Sequence, residues 1–188
     1  EMVKKTFPVP VYERLMGKVV EGKEYWDEHL VFEDGFLKTK GYVTVKDALT
    51  FDGKIPGPTI RAKVGDVLEL TFKNRLPEEL DFPIIIHQHG IESDNESDGT
   101  PVTENGIFPG KKLIRRFRVT RPGIFWYHPH VRTTDTIFSG MYGALIVKSK
   151  AEEILEKKGV LPKQVETIVL SDITVANKYN STGNTFGF

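Results

Sequence analysis

The sequence predicts an all-β fold, a sandwich or barrel. From Phe36 to Lys148 the chain runs in short segments of strand length, several of them alternating apolar and polar residues. Turn signals separate them every ~8–12 residues, the spacing of antiparallel β domains. The hydrophobic content of 39% can build a core for such a unit.

Before that unit, residues 1–35 hold Pro8, Pro10, Gly17, Gly22 and Gly35, which interrupt any period. They are expected to be an irregular arm wrapping the core, with room for a short helix. Gly41–Val45 alternates, and Ala48–Phe51 runs into the Asp52-Gly53 turn. After the stiff Ile55-Pro-Gly-Pro58 turn, Thr59–Ala62 and Val67–Lys73 are strands about a Gly65-Asp66 turn. Phe82–His89 is a short apolar strand, followed by a polar loop from Ile91 to Gly106. Leu113–Val119 alternates again, Arg121-Pro-Gly123 turns, and Ile124–His130 and Gly143–Lys148 complete the unit. Ala151–Lys158 is composed of helix formers with one apolar stripe, and Gly159 fits its stop. Glu166–Val175 is strand-like, and the last ~25 residues carry too little apolar sequence for a core of their own. They are expected to open a further domain or to form a swapped tail. The division is therefore an arm (1–35), a β domain (36–150) and a C-terminal extension (151–188).

With 26 basic and 26 acidic residues the formal net charge is zero. That argues against a nucleic-acid partner, whose phosphates call for a basic surplus. No apolar run approaches the ~20 residues that span a bilayer. No signal peptide is visible, and the chain begins at Glu1; a processed, trimmed or excerpted polypeptide is expected. There is no cysteine, which removes disulfides, thiolate zinc sites, cysteine nucleophiles and the His2Cys blue-copper site.

Four of the five histidines fall in two His-x-His pairs, His87-Gln88-His89 and His128-Pro129-His130. Side chains two apart on a strand share a face, ~6.5–7 Å apart. Two such pairs on neighbouring strands would aim four imidazoles at one spot. Imidazole is the commonest protein ligand for copper, zinc and iron. The spacing points to a metal site, and to more than one ion.

The flanks of these pairs are specific. Phe51–Ile60, Val64–Leu68, Asn74–Leu76, His87–Ile91, Asp98–Pro101, Pro109–Gly110, Gly123–His130 and Gly140–Val147 resemble, in order, the first cupredoxin domain of the multicopper oxidases. This superfamily includes laccase, ascorbate oxidase and bilirubin oxidase. The resemblance implies a cupredoxin-like Greek-key sandwich. It further implies half of a trinuclear copper cluster that reduces O2 to water while a donor is oxidised. By motif, His87 resembles the type 2 copper ligand, His89 and His128 ligands of one type 3 copper, and His130 a ligand of the other. Asp98 resembles the acid beside the cluster that handles protons, the catalytic role expected here.

Some positions depart from the family pattern. Gln88 stands where Trp is usual, changing the packing beside the cluster. The segment between His130 and Gly140 is somewhat longer than in many laccases and lacks their usual Gln. The remaining ligands and the His-Cys-His strand of type 1 copper are absent, so the other cupredoxin domain or domains must come from elsewhere in the protein, from another chain, or from a homo-oligomer. O2 and a small-molecule or metal-ion donor complete the expected partners, in a periplasmic or extracellular setting. The alternatives are a free-standing copper- or zinc-binding module for storage or transfer, and a metal-free structural relic. His29 is expected to be a surface histidine, Met141 a packing residue, and Trp126 and Tyr127 core or ligand-packing residues. Arg115, Arg116 and Arg118 are expected to form a solvated strand face. Asn95-Glu-Ser and Asn180-Ser-Thr match the glycosylation triplet and are assigned no role.

Overall fold

The computed structural model describes residues 1–6, 48–162 and 165–171 in full, and strand backbone within 7–47. The early strands are β1 (Met2–Tyr12), β2 (Arg14–Leu15), β3 (Val19–Val20), β4 (Lys23–Glu24), β5 (His29–Leu30), β6 (Phe32–Glu33), β7 (Phe36–Leu37) and β8 (Thr39–Phe51). They are followed by β9 (Ile60–Lys63), β10 (Val67–Lys73), β11 (Ile86–His89), β12 (Lys112–Arg118), β13 (Gly123–Pro129) and β14 (Gly143–Lys148). Among the described residues there are two α-helices, α1 (Thr133–Phe138) and α2 (Lys150–Lys157), and a single 3-10 turn at Asn95–Ser97.

Contacts divide the chain into two units: Glu1–Lys5 with Asp47–Thr174, and Thr6–Lys46 with Val175–Phe188. In the second unit β2 pairs with β5, β3 with β4, and β6 with β7, all antiparallel. The irregular arm expected over 1–35 therefore carries strand backbone. Its Val, Tyr and Phe residues favour the extended chain. The backbone of His29 pairs with Leu15; its side chain lies outside the described residues, as do Asn180 and residues 172–175.

The larger unit is the expected all-β sandwich. One sheet has the order β11-β13-β14-β9, with β14 and β9 parallel. The other layer comprises two separate ladders, β10 with β12 and, within this unit, the ends of β1 and β8, with an isolated parallel bridge from Met2 to Asn74. The core lies between them, because each apolar cluster draws on both. Leu49, Phe51, Ile84, Ile86, Tyr127 and Met141 share one cluster. Ala62, Phe117, Leu145 and Val147 share the other. Burying a side chain of this size contributes ~1.5–3 kcal/mol. Met141 packs in this core as expected, fully buried.

Alternation along the strands decides what faces that core. On β13, Phe125, Tyr127 and Pro129 turn inward, while Ile124 and Trp126 are exposed. On β11, Ile86 and Gln88 are buried and the two histidines occupy the other face. The Tyr127 hydroxyl donates to Pro58 O at 2.7 Å. Burial, and secondarily Asp52, push its ionisation well above the ordinary phenol range.

Element bounds differ from expectation at informative places. The strand expected from Phe82 begins at Ile86; Ile84 makes only an isolated bridge to Ile107, and Pro83 has no donor for a ladder. The helix α1 was not expected, since three threonines in six residues are poor helix formers. Contacts to β13 and the bond from Met141 N–H to Thr136 O hold it in place. The helix expected at Ala151–Lys158 forms one residue earlier, with Ser149 and Glu152 making a reciprocal capping box. Within the strand expected over 166–175, the described residues 166–171 form no strand and make no ladder.

Gly143 tests the packing. A Cβ there would lie 2.3 Å from the Tyr127 ring. Gly143→Ala is expected to cost about 1–3 kcal/mol in urea unfolding; unchanged stability would show that Tyr127 can shift aside.

Candidate metal centre

The histidines are brought together by strand register. β11 and β13 pair antiparallel with His87 opposite His128 and His89 opposite Trp126. His130 follows by two residues, and its N–H donates to Ile85 O at 2.8 Å. All four imidazoles therefore leave the same outer face of the sheet, away from the core. Ring centroids lie 5.3 Å apart for His87 and His89, 5.5 Å for His87 and His128, and 5.5 Å for His89 and His128. One nitrogen from each of these three falls within 4.8 Å of the others. His130 stands to the side, 5.1 Å from His87 and 6.0 Å from His128 by ring centroid.

Hydrogen bonds fix which nitrogens are free. His87 Nδ1 lies 2.7 Å from the backbone oxygen of Asp98. A carbonyl can only accept, so Nδ1 carries a proton, and in the neutral ring Nε2 keeps its lone pair. His128 Nδ1 is fixed in the same way by Pro129 O at 2.9 Å. His128 Nε2 then accepts from His89 Nδ1, 3.3 Å away. Two nitrogens that share a proton at this distance can also share one ion, each ~2.0–2.1 Å from it. Three neutral imidazoles with lone pairs available are a donor set suited to copper or zinc. Copper is the cofactor that the family resemblance calls for, and these residues fit it.

Burial favours the same neutral state. The His128 ring, buried against the sheet, is lowered to a pKa of about 4, with the neighbouring histidines adding to the effect. His130 is lowered as well, by burial and then by His87. Trp126, which is partly exposed, stacks on His128 at 4.0 Å and 28° and lies 5.2 Å from His89. It packs on the histidines, whereas Tyr127 packs in the core. The Asp98 carboxylate reaches to 3.5 Å from His87 Nδ1 and remains partly exposed.

Arg115 overturns an expectation. It was expected to lie on a solvated strand face with Arg116 and Arg118, which are indeed exposed. Arg115 instead is buried, 4% exposed, because it is in phase with the inward Leu113 and Phe117. Its guanidinium donates to Ile86 O, to Gln88 Oε1 at 3.1 Å and to Glu104 Oε2 at 2.5 Å. The same phase in Leu113-x-Arg115-x-Phe117 was the available sequence signal. Asn95 is exposed, in the single turn Asn95–Ser97 whose last residue is buried.

Beside the histidines is an apolar cleft of about 450 Å3, lined by Ile124, Trp126, Phe138, Ile168 and Leu170 among others. Ile124, Ile168 and Leu170 are each at least 80% exposed. Among the described residues no helix is long and apolar enough to cross a membrane.

A family model described as "Multicopper oxidase" matches residues 37–152. A multicopper oxidase of Mycobacterium tuberculosis is 38% identical over 108 residues, which cover 57% of this chain and 20% of that protein. Copper resistance protein A of Escherichia coli is 33% identical over 136 residues, 72% of this chain and 21% of that one. The crystal structure of a multicopper oxidase from Pseudomonas thermotolerans superposes with a TM-score of 0.53 at 27% identity, over 78% of this chain and 29% of that one. The chain thus spans about a fifth of the length of the curated relatives it matches.

Protonation should be readable in the metal-free chain. In unfolded chain a histidine takes a proton near pH 6.5, whereas folded His128 resists until about 4. The unfolded state binds more protons in that window, so stability falls as pH drops from 6.5 towards 4. Thermal unfolding between pH 7.5 and 4.5 should show this, and His128→Asn should flatten the profile. An identical slope in the variant would assign the titration elsewhere.

Proposed function

This chain belongs to the multicopper oxidase family, and on that premise we propose that it is the N-terminal cupredoxin portion of a copper-dependent oxidase. In this reading residues 36–150 form the cupredoxin domain, residues 1–35 precede it, and residues 151–188 lead into a second domain. The observation that carries the proposal is the open quartet of imidazoles on the outer face of β11 and β13, with three nitrogens converging and a free side facing solvent. A site enclosed on one side alone fits half of a ligand set. The apolar cleft beside it supports the same conclusion, since a large exposed apolar patch marks a surface that another surface covers.

Within this scheme His87 serves the type 2 copper, His89 and His128 share a type 3 copper, and His130 serves the other type 3 copper. The 3.3 Å approach of His89 Nδ1 to His128 Nε2 supports their sharing one ion. Copper bound here would pass on to O2 the four electrons taken from the donor, so that O2 and four protons give two waters. The chain's own residues prepare for that chemistry. His87 and His128 are each oriented by a carbonyl that holds the Nδ1 proton, as outer partners of metal-bound histidines do. Trp126 shields one side of His128 from water. Asp98, partly exposed and 3.5 Å from His87 Nδ1, is placed to take protons from solvent and hold them beside the site. Oxidation of a donor, a small molecule or a metal ion, requires a type 1 copper from another domain or chain. The setting proposed is periplasmic or extracellular, the compartments where such copper enzymes work.

Metal content by mass spectrometry, combined with mass by light scattering, tests the reading. The monomeric chain should hold copper weakly, and with a laccase dye it should consume no oxygen. His87→Ala should remove what copper binding there is without unfolding the chain. One tightly bound ion per monomer would instead support a storage or transfer module, and robust turnover by these 188 residues would overturn the half-site.

A further inference from the structure

Arg115 is a charged group in the core of a β-sandwich, and neither the core packing nor the proposed chemistry gives it a task. It comes from β12 in one sheet and reaches across to β11 in the other. β11 is an edge strand. His130 N–H bonds to Ile85 O, and antiparallel pairs alternate between bonded and non-bonded. The Ile86 carbonyl therefore faces away from β13, towards the open edge. There the Arg115 Nη1 donates to it, and also to the Gln88 side chain. Ile86 and Gln88 are the two neighbours of His87.

The same carbonyl meets the loop that orients His87. Gly99 has φ +72°, and a Cβ on it would lie 1.9 Å from Ile86 O and 3.0 Å from Arg115 Nη1. The loop backbone is thus seated on Ile86 O beside the guanidinium. One residue earlier, Asp98 O accepts the Nδ1 proton of His87. Glu104, 2.5 Å from Arg115 Nη2 and itself mostly buried, offsets the charge. Phe72 closes the remaining side, its ring centroid 5.4 Å from the guanidinium carbon. The single cation therefore touches the strand carrying the first histidine pair, the residue between the two histidines, and the loop that sets the first ring.

We infer that Arg115, charge-balanced by Glu104 and received by Gln88, is a positioning residue for the metal centre: it pins β11 and the Asp98-Gly99 loop together so that His87 presents Nε2. Gln88, the residue between the two histidines, belongs to this device. A tryptophan there would leave Arg115 without one of its acceptors. The metal part of the inference rests on the function proposed above; the ring's tautomer in the metal-free chain does not.

Two readouts test it. Long-range proton–nitrogen NMR on the labelled, metal-free chain reports the His87 tautomer, and Cu(II) titration reports affinity. The parent should show a single Nδ1–H form for His87. Arg115→Met should give exchanging tautomers and a 10–100-fold loss of Cu(II) affinity, the range for lost outer partners. Arg115→Lys, which keeps a donor for Ile86 O, should recover part of both. The triple variant Arg115→Met/Glu104→Leu/Gln88→Leu removes the charged pair and the Gln88 amide together, so it should fold even where the single variant does not. Its tautomer and affinity should remain impaired despite restored thermal stability. If the triple variant keeps the Nδ1–H form and the parent's affinity, Arg115 is only a packing residue and the inference fails. If the isolated parent binds no Cu(II), the proposed half-site stands, and the tautomer alone decides the role of Arg115.

Discussion

The pairing of His87 with His128 is the constraint on which the rest depends. Strand side chains alternate between faces, so a register slip of one residue would exchange every inward and outward position on β11. Ile86 and Gln88 would leave the core, and both histidines would enter it. The buried cluster formed by Ile86, Tyr127 and Met141 thus holds the metal centre in place as firmly as any bond between the rings themselves. Core and site are the two faces of one choice. Loss of ~1.5–3 kcal/mol for each large side chain turned outward is what forbids the alternative.

That arrangement also bears on the protonation of His128 and His130. An imidazolium buried against apolar rings loses hydration, and its neighbours would repel it. The neutral form is favoured at His128 and His130 for that reason. Backbone carbonyls of Asp98 and Pro129 then choose which nitrogen keeps the proton. Neutral rings with chosen lone pairs are what a cationic metal needs. The rings face outward, and exposed Ile124 and Leu170 line the apolar cleft to which Trp126 also contributes.

How much of this was legible in the sequence depends on which forces are local. The alternation in Leu113–Val119 and the spacing of the histidine pairs have period 2, so strands, faces and the cluster could be read directly. The cupredoxin order of the flanking motifs supplied the topology. Tertiary effects were harder. α1 forms against threonine's weak propensity because β13 packs on it. β11 starts late because Pro83 cannot join a ladder. Residues 165–171 have strand composition, but among the described residues they find no partner strand. Arg115 was misjudged by weighing residue type over phase: charge suggests solvent, whereas its place between Leu113 and Phe117 dictates burial.

Burial of that arginine is not explained by stability. Desolvating a guanidinium and a carboxylate costs about what their attraction returns, and an apolar substitute of similar volume is often as stable or more so. Glu104 Oε1 and Arg115 Nε lack partners in the structure, which makes the balance less favourable still. What the pair does provide is direction. Apolar packing resists separation but tolerates sliding, whereas a planar donor fork bonded at Ile86 O and Gln88 Oε1 resists sliding along the strand. β11 is short and has a neighbour on one side only, so sliding is the motion it is least protected against. A metal centre tolerates misplacement of its ligands by only a fraction of an ångström. A costly polar lock behind the edge strand is therefore best understood as serving the face in front of it.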